Sequence, residues 1–102
     1  MKINKQNKNG KEVSIVYRDD NSINVNIFNN KILMEIVGSF DNNLKELEKI
    51  TGSKIYFRGN SIAIKGKKNV NEKVKDAIEY LIDRFRSNKK IDNSDIIASL
   101  NS

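Results

Sequence analysis

KIYFRGNSIAIKG, residues 54–66, constrains the fold more than any other stretch of this 102-residue chain. Two alternating apolar and polar runs flank Gly59-Asn60, a dipeptide suited to a two-residue hairpin turn. With those two residues as the loop, Phe57 pairs with Ile62 and Ile55 with Ile64. All four then share one face, as a hairpin lying on a core requires, because a slip of one residue would turn every side chain over. The opposite face carries Lys54, Tyr56, Arg58 and Lys65. A second alternating pair precedes this one: Val13, Ile15 and Tyr17 in residues 12–18, then Ile23, Val25 and Ile27 in residues 22–28. Asp19-Asp20-Asn21 supplies the turn between them.

Helical spacing fills the remainder. Asn29 or Asn30 can cap a short helix whose Ile32, Leu33, Ile36 and Val37 form one stripe, with Gly38 ending it in a left-handed conformation. Asp41 is placed to cap a second helix, with Leu44, Leu47 and Ile50 inward and Gly52 at its close. Asn69 followed by Glu72 reads as a capping box opening a long helix through about Ser87. The stripe of that helix is Val70, Val74, Ala77, Ile78, Leu81 and Phe85. Asp92 and Asp95 stand in a similar relation ahead of a last short helix, with Ile96, Ile97 and Leu100 inward. Residues 1–11 are polar, basic and without period, and read as a flexible tail. The expectation is one α+β domain over residues 12–102, with the helices packed on one face of a three- or four-stranded sheet.

Composition removes several kinds of chemistry. The chain has no Cys and no His, which excludes disulfides, thiolate zinc sites and Cys or His catalysis. Glu46 and Glu48 are carboxylates on an expected helix surface with nothing nearby to tune them for acid–base work. No apolar run is long enough for a membrane span, and the N-terminus lacks the apolar segment of a signal peptide, so a cytoplasmic protein is expected. The net charge of +6 is unevenly spread: residues 1–18 hold five Lys/Arg against Glu12, residues 19–66 balance, and residues 67–90 hold eight Lys/Arg against four acids. A neutral middle between basic flanks suits a polyanionic partner, although Lys-rich tails and solvated helix faces have the same composition.

The element order strand, helix, helix, strand, strand, helix, together with IVGSFDNNLKELEKITGSKI (residues 36–55), resembles a K-homology (KH) domain of the eukaryotic-type topology. In that family a Gly-x-x-Gly loop between the first two helices meets single-stranded RNA or DNA. Gly38 falls on the first glycine, Ser39 and Phe40 on the variable pair, and Asp41 where the second glycine would stand. A longer stretch, residues 25–100, is similar to the N-terminal KH-like region of PhoH-like proteins. The shared elements are Phe28-Asn29, Gly38, Asp41, Asn43-Leu44, Arg58-Gly59-Asn60, Gly66 and Asp95.

This resemblance implies a two-layer KH-like fold with an added N-terminal strand and C-terminal helix, and a non-enzymatic domain that binds single-stranded RNA. It also implies that the chain is the N-terminal piece of a protein continuing into a P-loop ATPase, or else a free-standing relative; the piece is the expectation. ATP and Mg would belong to the ATPase portion alone, since no Gly-x-x-x-x-Gly-Lys-Ser/Thr occurs here. The RNA-contacting residues it points to are Gly38, Ser39, Phe40, Asn42, Asn43 and Lys45 at the loop, with Lys54, Tyr56, Arg58 and Lys65 on the hairpin.

Asp41 works against a phosphate there, because as a cap its carboxylate would take the amides a phosphate needs and add negative charge. Phe40 either packs back on the first helix or protrudes. Lys54, Tyr56, Arg58 and Lys65 make either a stacking surface edged with cations or a solvated outer strand face. The alternative to RNA binding is a docking or oligomerisation module of the ATPase that has lost the nucleic acid.

Overall fold

A computed structural model describes residues 12–87 and 89–101; the expected basic tail over residues 1–11 lies outside the described residues. The elements run β1 (Val13–Asp19), β2 (Ser22–Ile27), α1 (Asn30–Val37), α2 (Asn42–Thr51), β3 (Lys54–Arg58), β4 (Ser61–Lys65), α3 (Lys68–Arg86) and α4 (Asn93–Asn101). The β3–β4 hairpin forms in the register its alternation demands, Phe57 opposite Ile62 and Ile55 opposite Ile64. β2 inserts beside β4, giving an antiparallel sheet of order β1-β2-β4-β3.

One face of this sheet makes the core. Val25 pairs with Ile62 and Ile23 with Ile64, all buried, and Ile15 and Tyr17 of β1 continue the same rows. Onto them pack Ile32, Leu33, Ile36 and Val37 of α1, Leu44 and Leu47 of α2, and Val74, Ala77, Ile78 and Leu81 of α3. Each buried Val, Leu or Ile side chain among them contributes about 1.5–3 kcal/mol by leaving water. α4 packs chiefly on α3 and α2 rather than on the sheet, and buries Ile96.

The helix ends divide into two kinds. Asn29 caps α1, its Oδ1 accepting the Ile32 N–H at 3.1 Å. Asp92 and Asp95 cap α4 reciprocally: Asp92 Oδ1 accepts the Asp95 N–H and Asp95 Oδ2 accepts the Asp92 N–H. Arg84 Nε donates to the other oxygen of Asp95 at 2.6 Å, which neutralises a carboxylate otherwise buried. The other two helices depart from expectation. α3 starts one residue before Asn69, and no side chain caps it. Its entry is closed by Asn71, whose backbone N–H donates to Lys67 O and whose Nδ2 donates to Gly66 O. α2 is likewise uncapped: Asp41 precedes it with φ 61° and ψ 23°, a left-handed conformation in which its carboxylate reaches no helix amide.

Two inward assignments also fail. Ile50 is 47% exposed and Ile97 is 48% exposed. At about 100° per residue, Ile50 lies roughly 120° around the helix from Leu44, outside the stripe that Leu44 and Leu47 define. On α4 the inward positions are Ile96 and Ser99, with Leu100 half-buried, and Ile97 is turned aside by the same geometry. Among the described residues no helix is long and apolar enough to cross a membrane.

Candidate nucleic-acid interface

Among the described residues, the loop between α1 and α2 has the most unusual backbone. Gly38 ends α1 with its N–H on Met34 O and adopts φ 82°, ψ 168°, a region that is essentially glycine's alone. Ser39–Asp41 then form a single tight turn, with the Asp41 N–H on Gly38 O at 3.1 Å and the Asn42 N–H on Ser39 O. Phe40 (φ 54°) and Asp41 (φ 61°) are the two described non-glycine residues with positive φ, and they are consecutive. For an L-residue that conformation costs about 1–2 kcal/mol, least for Asp and most for a bulky side chain.

The strain brings no packing in return. Phe40 is 93% exposed, so it protrudes rather than folding back on α1. Asn43 behaves in the opposite way. Its Nδ2 donates to Glu35 O, and it sits so close beneath Gly38 that a Cβ there would lie 2.8 Å from the Asn43 amide group. Asn43 is therefore a support of the loop, whereas Ser39, Phe40 and Asn42 are its exposed tip.

Lys54, Tyr56, Arg58 and Lys65 are gathered by strand register on the sheet face away from the helices. Lys54 pairs with Lys65, Tyr56 with Ala63 and Arg58 with Ser61, and these rows continue into Ser22, Asn24 and Asn26 of β2. All three cations are exposed, and Tyr56 is 52% exposed. The loop set and the hairpin set approach one another at the α2–β3 corner. There Lys45 and Lys54 line one shallow depression with Lys49, Glu48, Gly52 and Ser53. Glu48 is half-buried rather than a free surface acid, and its Oε2 accepts the Ile55 N–H at 2.8 Å.

Three of the five basic residues of α3, Lys75, Arg84 and Arg86, are engaged within the fold, whereas Lys68 and Lys73 are exposed. Lys75 Nζ lies 2.7 Å from Asp76, 3.5 Å from Glu72 and 3.6 Å from Glu79. Partial burial works against its charge, but the Asp76 hydrogen bond and the field of Glu79 outweigh that and raise its pKa. Burial raises the pKa of Glu79, with Lys75 opposing the shift. Tyr17 is also raised, by burial and then by donating its hydroxyl to Glu72. Arg84 is held by Asp95, and Arg86 donates to Glu12 at 2.6 Å.

No family model, no curated protein and no solved structure matches the chain.

The chemistry available is therefore that of the side chains themselves. No group of three or more Asp and Glu among the described residues is arranged to hold a metal ion. What the loop and the sheet face offer is aromatic surface, amide hydrogen bonds and lysine or arginine charge. Three features were not singled out in the sequence: the Glu48 bond to β3, the Asn43 prop under Gly38, and the short polar side chains of β2 and β4 on the outer face. The last had a signal in the sequence, since Asn24, Asn26 and Ser61 occupy the outward positions of runs whose inward positions are all Ile or Val.

Proposed function

We propose that this domain is a KH-like, non-enzymatic module that binds single-stranded RNA, and that it is the N-terminal portion of a PhoH-like P-loop ATPase. The observation that carries this reading is the α1–α2 loop: a glycine, two consecutive left-handed residues, an aromatic tip in solvent, and a following helix whose N-terminus no side chain caps. The Gly-x-x-Gly pattern is met in sequence at Gly38 alone, and the backbone at the second glycine position supports the resemblance. Asp41 occupies the position of the second glycine and holds a positive φ of the kind glycine adopts freely. The uncapped amides of α2 leave a partial positive charge at the loop, favourable to phosphate. The element order β2, α1, α2, β3, β4, α3 also supports the reading, being the strand, helix, helix, strand, strand, helix order on which the resemblance rests.

RNA held this way binds mainly through charge. The logarithm of affinity should fall with the logarithm of salt concentration, by roughly 0.7 for each phosphate neutralised. A fluorescence titration with unstructured single-stranded RNA at about 50 mM salt tests the reading. Binding that weakens steeply with salt supports it, and no association with any single strand sinks it.

A second reading, a docking or oligomerisation module, is favoured by Ile50 and Ile97. They are half exposed on α2 and α4, two helices that touch each other. Light scattering over a range of concentrations separates the readings: a dimer that ignores RNA supports docking, and a monomer that binds RNA supports the first.

A further inference from the structure

We propose that the face of the sheet away from the helices is a stacking platform for single-stranded nucleic acid, reached from the α1–α2 loop across the lysines of the α2–β3 corner. The inference rests on the nucleic-acid reading above and assigns it a second surface on the side of the domain away from the helices.

Three observations carry it. The first is charge. Across β2, β3 and β4 the outward positions are Ser22, Asn24, Asn26, Lys54, Tyr56, Arg58, Ser61, Ala63 and Lys65, which include three cations and no carboxylate. Asp19, at the end of β1, has its carboxylate engaged in the turn, accepting the Asn21 N–H.

The second is the relief of the surface. Asn24, Asn26, Ser61 and Ala63 are poor strand formers, yet they fill the outward positions of the two central strands. They face away from the core, so no buried packing offsets that weakness. Their effect is to keep the middle of the sheet low and rich in amide and hydroxyl groups beside Tyr56. Asn24 Nδ2 donates to Ser61 Oγ and Asn26 Nδ2 to Ser14 Oγ, which holds both amides in place.

The third is spacing and continuity. Lys54 and Arg58 lie two residues to either side of Tyr56 on the same face, roughly 7 Å away along the strand. An aromatic ring flanked by cations at that distance lets a base stack while neighbouring phosphates are neutralised. Lys45 and Lys49 share a depression with Lys54, and Lys65 shares another with Lys67, so the basic surface widens from both strands at the open end of the hairpin, where Lys54 pairs with Lys65.

The test is an amide NMR titration of the full chain with oligouridylate, alongside affinities of Tyr56→Ala, Tyr56→Phe and the double variant Arg58→Glu/Lys65→Glu. Shifts should appear at Asn24, Asn26, Lys54, Tyr56, Arg58 and Ala63. Tyr56→Ala should bind roughly ten-fold more weakly, while Tyr56→Phe stays within about two-fold. The double variant should lower the salt slope by roughly 0.7 for each phosphate that is no longer neutralised. Shifts confined to residues 38–45, with Tyr56→Ala at wild-type affinity, overturn the platform and leave the loop reading standing. Shifts on the sheet alone uphold the stacking surface but overturn its approach from the α1–α2 loop. No shifts anywhere overturn both. Equal affinity for polyglutamate at the same residues also overturns the platform, because the face would then read charge without bases.

Discussion

Two glycine corners lead into two uncapped helices, and they are built in opposite ways. At Gly66, before α3, the polar groups turn inward. Asn71 is 1% exposed and donates to Gly66 O, while its Oδ1 accepts from Ser53 Oγ. Asn21 Nδ2 donates to the same carbonyl, and the Gly66 N–H returns to Asn21 O. At Gly38, before α2, an asparagine again supports the glycine, but everything beyond it turns outward, with Phe40 and Asp41 held left-handed in solvent. The first corner is accounted for by stability: buried polar groups are costly unless satisfied, and none of the buried side-chain N or O atoms among the described residues lacks a partner. The second corner is strained without any packing that would offset it. Strain retained at an exposed aromatic is what a contact surface would preserve and a stability element would not.

The largest effect that would sharpen this contrast comes from Gly38→Ala. The backbone there is nearly closed to other residues, and the new Cβ would meet the Asn43 amide at 2.8 Å. Unfolding in urea should show a loss of about 3 kcal/mol. A loss under about 1 kcal/mol would mean that the loop relaxes freely and is not held in a defined shape. Asn71→Ala comes next. It removes one of the two donors to Gly66 O, leaving Asn21, and takes from the buried Ser53 Oγ its acceptor, and should cost about 2 kcal/mol. RNA affinity measured well below the melting transition should not change, because Asn71 faces neither the loop nor the outer sheet surface. A changed affinity would break the division between a structural and a functional corner.

How much of this was legible in the sequence follows from the physics of each element. The two hairpins were legible because period-two alternation fixes both register and face, so β3–β4 pairs residue for residue as the pattern required. The Asp92 and Asp95 cap was legible because its groups are local and both carboxylates were available. The α3 start was misread because Asn69 and Glu72 have the right spacing, whereas the helix is entered through Gly66 and closed by the buried Asn71. Only the tertiary contact with Ser53 distinguishes one asparagine from the other. Asp41 was misread for a similar reason: its residue type suits a cap, but the cap requires an extended backbone, and the turn from Gly38 leaves it left-handed. The hairpin face of Lys54, Tyr56, Arg58 and Lys65 was read correctly as a group. The low centre provided by β2 needed the strand order, which sequence alone does not supply.

Two smaller effects separate strain from contact at the loop itself. Phe40→Gly relieves the less tolerable of the two left-handed residues and should stabilise the domain by about 1 kcal/mol, measured as a rise in the urea midpoint with unchanged slope. If Phe40 meets a base, the same variant should weaken RNA binding, so stability and affinity move in opposite directions. A variant that is more stable and binds equally well would reduce Phe40 to a solvated accident.

Asp41→Gly is the finer test. The stabilisation should be only about 0.5 kcal/mol, since aspartate tolerates the left-handed region better than most residues. The change in charge matters more. Because Asp41 does not cap α2, removing its carboxylate leaves the helix amides as they were and subtracts only a negative charge beside them. Affinity for single-stranded RNA should therefore rise a few-fold at low salt, and the gain should shrink as salt screens the loop. A gain that persists at high salt would point to a changed loop conformation instead of relieved repulsion. No gain at any salt would place the phosphates away from α2, and leave the sheet face to carry the binding.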